Sequence, residues 1–600
     1  MTALAADPLK AALAAMETHT SPALSPDGTA VAYLRTTEEG DEVWLTDGRR
    51  LAVHDGRRIR DLRWTGDGRA LVYRHADIGR ETWALSVVDA VSGTSVHMSS
   101  ASVAEFWVRD GEIVYSAREP GARLAELFQL RVMPEQFSNP NPGYHRLLVD
   151  RDLQPRGGLR IGRESAVLTV SGEVTTEIEI SFTALADLSI IGFSADDRIL
   201  YLLNSAGSDT RRLIAVDTGT GSQTTLFEHP ELDVASFPIG PPGVWCDPRT
   251  GHPDMVSVFG HKLKVVPLTD AMTVAYRELS KVLPGEPVVL DRNADDTVWL
   301  VAVVHDDGPL EYHCYDRTNG SSQPLFLNRP DLIPFRLPRL EPISYETSDH
   351  WRIDGYRLAP LNTTGPTRTV VMVHGGPASR DRWRFYAEAQ YLAACGYASL
   401  HLNFRGSTGR GAAFRLAGHG EWGSRMQVDI YDGVEHGVRA GLVDPNAVCF
   451  YGASYGGYAT LLAATSRPEL VRCAVAISPQ CDLVGLATKP AAFWGPIAAT
   501  LRRQVLGDVT QEEAERLLRD RSPMHLLSPA CPPLLIAHGA RDPRIPVAEV
   551  DTFVEKAQAL GVPVTYLRFD DEGHHIHSNR NRALLFSVME RFLEQHVPAT

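Results

Sequence analysis

The sequence predicts two domains of unlike class: a recurrent all-β region up to about residue 338, then an α/β region built on a mostly parallel, doubly wound sheet. Three observations lead there. A chain of 600 residues is longer than one hydrophobic core serves. Its first half repeats short alternating apolar runs behind aspartate-containing turns. Its second half alternates continuous apolar β-runs with helix-like stretches.

In the first half, Ser25-Pro26-Asp27-Gly28 leads into Val31-Ala32-Tyr33-Leu34, and Gly66-Asp67-Gly68 into Ala70-Leu71-Val72-Tyr73. Asp110-Gly111 precedes Ile113-Val114-Tyr115, Asp196-Asp197 precedes Ile199-Leu200-Tyr201-Leu202, and Asp295-Asp296 precedes Val298-Trp299-Leu300-Val301. The spacings of the first turns are 40 and 43 residues, and the next is 86, twice 43. A repeat of that length is the size of one four-stranded propeller blade. Residues 20–338 are therefore expected to form a β-propeller of about seven blades, with blades four and six the faintest. An irregular array of β-sandwiches is the alternative. Residues 1–19 hold a helix-like stretch at 9–16 outside the blade pattern, expected to pack on the second domain.

Residues 339–600 make up that second domain. Val370-Val371-Met372-Val373, Ala398 to Leu402, Ala474 to Ile477, Leu534 to Ala537 and Val564 to Leu567 read as strands separated by helices. Strands buried on both faces read as such continuous apolar runs.

Composition narrows the function. A net charge of -15 argues against nucleic acid or an anionic membrane as partner, since both require a basic surface. The N-terminus has no basic segment followed by a long apolar stretch, and no run approaches the roughly 20 apolar residues of a membrane span. Seven scattered cysteines without C-x-x-C spacing suggest a reduced, cytoplasmic protein.

Three short stretches carry the chemistry. Gly452-Ala453-Ser454-Tyr455-Gly456 is a G-x-S-x-G between a β-type run and a helix-like run, the context in which a sharp turn lifts a serine hydroxyl clear of a sheet. Asp542, in His538-Gly539-Ala540-Arg541-Asp542, and His574, in Glu572-Gly573-His574, follow in the triad order of an α/β-hydrolase. A hydroxyl is a poor nucleophile at neutral pH, so Ser454 needs His574 as base and Asp542 to orient the imidazole. His575 and His577 are rivals for the base. The same histidine cluster is a poor metal site, with no carboxylate or cysteine pattern beside it, and neither metal nor cofactor is expected. The backbone N–H of Tyr455 is one oxyanion donor. His374-Gly375-Gly376-Pro377 should supply the other, from Gly376 first and Gly375 in reserve.

Together these residues resemble the prolyl oligopeptidase family of serine peptidases, its acylaminoacyl-peptidase branch in particular. The resemblance rests on HGGP at 374–377, Asn403-Phe404-Arg405-Gly406-Ser407-Thr408-Gly409, GASYGGY at 452–458, Ser522-Pro523, the run at 538–546 and EGH at 572–574. It implies hydrolysis of short peptides or N-acylated amino-acid amides through an acyl-enzyme, beneath a propeller that restricts access. It also implies a substrate-side role for Arg544, which could equally be a structural ion pair. Phe493 and Trp494 would line an apolar pocket or belong to the core. The chain lacks the D-W-x-Y-E-E-like segment with which the dipeptidyl-peptidase branch grips a free amino terminus. It also has His374 where relatives carry an oxyanion tyrosine. An amidase, esterase or acyltransferase acting on a non-peptide metabolite would use the same triad. A scaffold with a dead hydrolase domain is disfavoured by the intact motif set. The expected partner is a small peptide or acylated amino acid and, at most, further copies of the chain.

Overall fold

In a computed structural model the described residues are 7–598, apart from 79, 100–101, 110–111, 119–125, 132–135, 140–142, 163–164, 236–242, 492, 495–497 and 508. Seven small antiparallel sheets follow one another in sequence, and an eight-stranded sheet comes after them. The first half is a β-propeller and the second an α/β-hydrolase domain.

In blades two, five and seven the second strand is the most buried, because neighbouring blades cover both its faces. Ala70–Asp77, Ile199–Asn204 and Val298–Val304 are almost wholly buried and correspondingly apolar. The outer strands Ser95–Ser99 and Gln223–Phe227 are largely exposed and polar.

The recurring turn joins the first strand of a blade to its second. A hydroxyl two residues before the turn aspartate donates to it at 2.6 Å in three blades, from Ser25 to Asp27, Thr65 to Asp67 and Ser194 to Asp196. The same hydroxyl oxygens accept the N–H of Ala30, Ala70 and Ile199 at 2.9–3.0 Å, closing the loop. The turn Asp110-Gly111 lies outside the described residues. Blades four and six use other chemistry at the same place. Asp150 accepts the N–H groups of Asp152 and Gln154, and Asp247 that of Arg249. Neither has the preceding hydroxyl or an adjacent glycine, which is why both are faint in the sequence. Blade six has three strands among the described residues, and the helix Asp270–Val282 follows its third.

Among the described residues no strand is shared between the first blade and the last. Their seam is closed by Leu24 N–H to Asp291 Oδ2 at 3.2 Å, Ala294 N–H to the Pro26 carbonyl at 2.8 Å, and contacts among the rings of His19, Tyr33, Tyr312 and Phe326.

The helix Pro8–Ala14, capped by the Asp7 carboxylate, lies against helices Ala387–Ala394 and Asn579–His596 of the second half, with Lys10 Nζ 2.6 Å from Glu590. The large sheet runs, edge to edge, through strands Leu340–Glu346, Arg352–Leu358, Ala398–Leu402, Thr367–Val373, Val443–Ala453, Cys473–Ile477, Leu534–Gly539 and Val564–Phe569. The first two run antiparallel and the other six parallel to one another. Helices cover both faces, so Ala398–Leu402 and Cys473–Ile477 are buried throughout.

The two halves are bound most densely on the side of blades five and six. Asp233 accepts the N–H groups of Gly409 and Gly411, Arg415 pairs with Asp187 at 2.7 Å, and Arg380 donates to the Phe259 carbonyl at 2.9 Å. Blade two reaches the second half through one polar contact among the described residues, the ion pair of Glu81 with Arg544 at 2.7 Å.

Candidate active site

Ser454 stands between strand Val443–Ala453 and helix Tyr455–Ser466, at φ 58° and ψ -120°. A non-glycine residue there stores strain, as expected of a hydroxyl held out of a strand-to-helix corner. Glycine is obligatory on both sides. A Cβ at Gly452 would sit 2.3 Å from Gly456 backbone, and one at Gly456 would sit 1.9 Å from the Val373 carbonyl oxygen.

Asp542 follows strand Leu534–Gly539. Its Oδ1 accepts the N–H groups of Arg544 (2.8 Å) and Ile545 (3.1 Å), which fixes the carboxylate plane and leaves Oδ2 free to turn outward. His574 Nδ1 lies 2.7 Å from that Oδ2, with both side chains buried. The carboxylate can only accept, so Nδ1 carries a proton, and in the neutral ring the lone pair is then on Nε2. Burial pushes the Asp542 carboxyl up, but the His574 imidazole and the two backbone N–H groups outweigh it and hold it below its ordinary value.

Neighbouring bonds draw the serine and histidine loops to the same end of the sheet. Ser454 N–H donates to the Ile477 carbonyl at 2.9 Å, and the next residue, Ser478, donates its hydroxyl to the His574 carbonyl at 3.0 Å. Two residues that motif reading quoted without giving them a role complete the support. Glu572, wholly buried, accepts the N–H groups of His577 (3.0 Å) and Ser578 (2.8 Å) and the Asn581 amide (2.9 Å), so it pins the histidine loop. His538 lies 3.8 Å from Asp542 Oδ2 and donates Nε2–H to the Ile545 carbonyl at 3.1 Å. Glu572 was visible only as part of a motif, and nothing in the spacing marked His538.

The glycine loop abuts the serine. A side chain at Gly375 would lie 3.5 Å from Ser454 Cβ, whereas one at Gly376 (φ 126°) would meet Ala378 and Ser379 of its own loop. Tyr455 buries its ring beside Met426 and Trp422 while its N–H opens the helix, where no intrahelical carbonyl is available. His374 stacks on Phe404 at 4.5 Å and its Nε2 lies 2.9 Å from Ser407 Oγ, so its ring braces the loop.

That brace depends on Arg405, which is 4% exposed. Arg405 forks onto Asp429 (2.8 and 2.5 Å) and Asp349 (2.7 and 2.6 Å). Burial works against its charge, but the two carboxylates outweigh it and raise the guanidinium pKa. Arg405→Ala strands the fully buried Asp429. We expect a loss of about 3–5 kcal/mol, read as a lower midpoint in chemical unfolding of the second half.

Arg544 pairs with Glu81 of blade two, and its guanidinium lies 5.1 Å from the Phe493 ring. Trp494 meets Phe493 edge-on at 4.9 Å and donates its indole N–H to the Arg544 carbonyl at 2.9 Å. Phe493 is 38% exposed. His575 and His577 lie beside His574 on a cavity of about 680 Å³ between the two halves. Burial first, and then a neighbouring imidazole, pushes both down to about 4, which makes either a weak base. Among the described residues no cluster of three or more His, Cys, Asp or Glu is placed to hold a metal, and no helix is long and apolar enough to cross a membrane.

Residues 383–600 match the model of the prolyl oligopeptidase family. Dipeptidyl aminopeptidase BIII of Pseudoxanthomonas mexicana is 31% identical over 605 residues, spanning 95% of this chain and 86% of that protein. The acylamino-acid-releasing enzyme of Arabidopsis thaliana is 28% identical over 34% of this chain and 27% of its own length. Among solved structures, a puromycin-hydrolyzing peptidase of Mycobacterium tuberculosis superposes with a TM-score of 0.77 at 18% identity, covering 98% of this chain and 96% of that one. The acylaminoacyl peptidase of Pyrococcus horikoshii gives 0.68 at 16% identity, covering 97% and 96%. The chain belongs to the prolyl oligopeptidase family and is a serine peptidase of that type.

Proposed function

We propose that the enzyme hydrolyses short peptides or N-acylated amino-acid amides through an acyl-enzyme formed on Ser454. Residues 20–338 act as a capping propeller and 339–600 as the catalytic domain, with 1–19 bound to the latter. The observation that carries this reading is the buried 2.7 Å bond between His574 and Asp542, on a loop tied through Ser478 to the strand beside the strained serine turn. With Nδ1 committed to Asp542, His574 Nε2 takes the Ser454 proton as Oγ attacks the scissile carbonyl. The backbone N–H of Tyr455 and one from Gly375 or Gly376 steady the oxyanion. His574 then protonates the departing amine, and a water activated by the same nitrogen releases the acyl group. Arg544, Phe493 and Trp494 form the wall on the acyl side. All seven cysteines are free thiols, which fits a reducing, cytoplasmic compartment.

A second reading, release of dipeptides from a free amino terminus, is favoured by the name of the relative that spans nearly the whole chain. Rates on N-acylated and free-amino dipeptidyl anilides and on simple esters would rank these readings. An ester-only profile would point to the non-peptide alternative. The core proposal is tested with a fluorophosphonate probe. The wild type should label and Ser454→Ala should not. An unlabelled wild type, or labelling that survives the substitution, refutes it.

A further inference from the structure

The cavity between the halves has a composition at odds with the chain. The protein carries a net charge of -15, yet seven arginines and five carboxylates line this space. Four pairs neutralise one another: Arg58 with Asp41, Arg80 with Asp77, Arg544 with Glu81 and Arg582 with Glu388. Arg60 lies 3.3 Å from Asp61 and over the Trp83 ring. That leaves Glu17 against Arg329 and Arg384, none of which forms an ion pair among the described residues.

Arg384 is the exposed one. It lies in the segment after the glycine loop, its guanidinium over the Tyr386 ring at 4.5 Å, and it opens onto the cavity. Arg329 is 7% exposed. It spends one N–H on the Ala15 carbonyl at 2.7 Å, and its Nε–H is buried without a hydrogen-bond partner. An unpartnered buried donor is costly, and a guanidinium fork matches a carboxylate.

The position of the cavity tells which part of a substrate it serves. Its lining includes His574, its neighbours 573, 575 and 577, and Arg544 at the edge of the aromatic wall, but not Ser454, Tyr455, Gly375, Gly376, Phe493 or Trp494. In the mechanism above, the nucleophile, oxyanion donors and aromatic wall hold the acyl half, and the base faces the amine that leaves. A cavity that touches the base and, of that wall, only its Arg544 edge therefore extends mainly toward the leaving side. The leaving part of a peptide ends in an α-carboxylate. A space of about 680 Å³ is roughly 9–11 Å across, enough for two or three extended residues at about 3.5 Å each.

We propose that Arg384, backed by Arg329, binds the free C-terminal carboxylate of a short peptide whose scissile bond lies two or three residues upstream. The enzyme would thus select peptides by the distance from the cut to their end. This rests on the proposed peptidase mechanism, and the test separates the two. Peptides of one sequence, with two residues after the scissile bond, are prepared as the C-terminal acid and the carboxamide, and kcat/KM is measured with the full chain. The wild type should prefer the acid by about 10- to 100-fold. Arg384→Gln should bring the ratio near one, and Arg384→Lys should retain part of it. A ratio is insensitive to partial loss of folded enzyme. Equal rates on acid and amide in the wild type, or a ratio unchanged in Arg384→Gln, overturn the site. An acyl-amino-acid anilide, which has no carboxylate on its leaving side, is run in parallel. If it is cleaved while the peptide pair shows no preference, only this inference fails. If neither anilide nor peptide is cleaved, the peptidase reading fails with it.

Discussion

Ser454→Ala is expected to lower turnover by about 10⁶-fold, and adding His574→Ala is expected to cost almost nothing more. The reason is cooperative. Without the hydroxyl, the imidazole has no proton to take and the acyl-enzyme route is closed. Without the imidazole, the hydroxyl stays a poor nucleophile. Each change removes the same pathway, so the two losses do not add. Residual catalysis of about 10³–10⁴ over water should persist in both single variants, because the backbone donors beside Ser454 are untouched. Single-turnover rates on an acyl-amino-acid anilide would check this. Strictly additive losses, or near-normal turnover in His574→Ala, would move the base to His575 or His577.

Asp542→Asn is expected to lower turnover by about 10⁴-fold with little change in fold. Asparagine keeps the shape of the side chain, and its carbonyl oxygen can still accept the Arg544 and Ile545 N–H bonds. Its amide nitrogen then faces His574 as a donor, so the ring must present an unprotonated Nδ1. The proton moves to Nε2, where it points at the hydroxyl it should be receiving from. The wild-type carboxyl has a depressed pKa in the folded state. Its contribution to stability is therefore present above the unfolded carboxylate value and is lost as pH falls through the lowered one. The variant should lack that acid-side loss. Unfolding midpoints of both proteins across the acidic range would reveal it, and parallel curves would contradict it.

What could be read from the sequence was what depends on neighbours in the chain. The serine turn needs two glycines and a hydroxyl within five residues, so the strand-to-helix corner was legible at 452–456. Blades one, two, five and seven announced themselves because their turns use an Asp with Gly or a second Asp. Blades four and six solve the same geometry with Asp150 and Asp247 and no glycine beside them. Pairings made across the fold left no such mark. Glu81 and Arg544 are 463 residues apart, and neither spacing nor composition hinted that blade two would touch the loop bearing Asp542. Asp429 and Arg405 likewise look like ordinary charges until both are seen to be buried. The glycine loop was legible as a loop after its strand, but which of Gly375 and Gly376 lies against Ser454 depends on how the loop folds back.

The uneven stitching between the halves has a mechanical consequence. On the side of blades five and six, carboxylates grip backbone amides, and such bonds are short and well shielded from water. On the side of blade two the tie is a single pair with both partners about a quarter exposed, of a kind worth about 0–1 kcal/mol and weakened by salt. A clamshell with one stiff edge swings about that edge. Raised ionic strength should therefore loosen the mouth beside Arg544 first, exposing His574 to bulk solvent while the far edge stays shut.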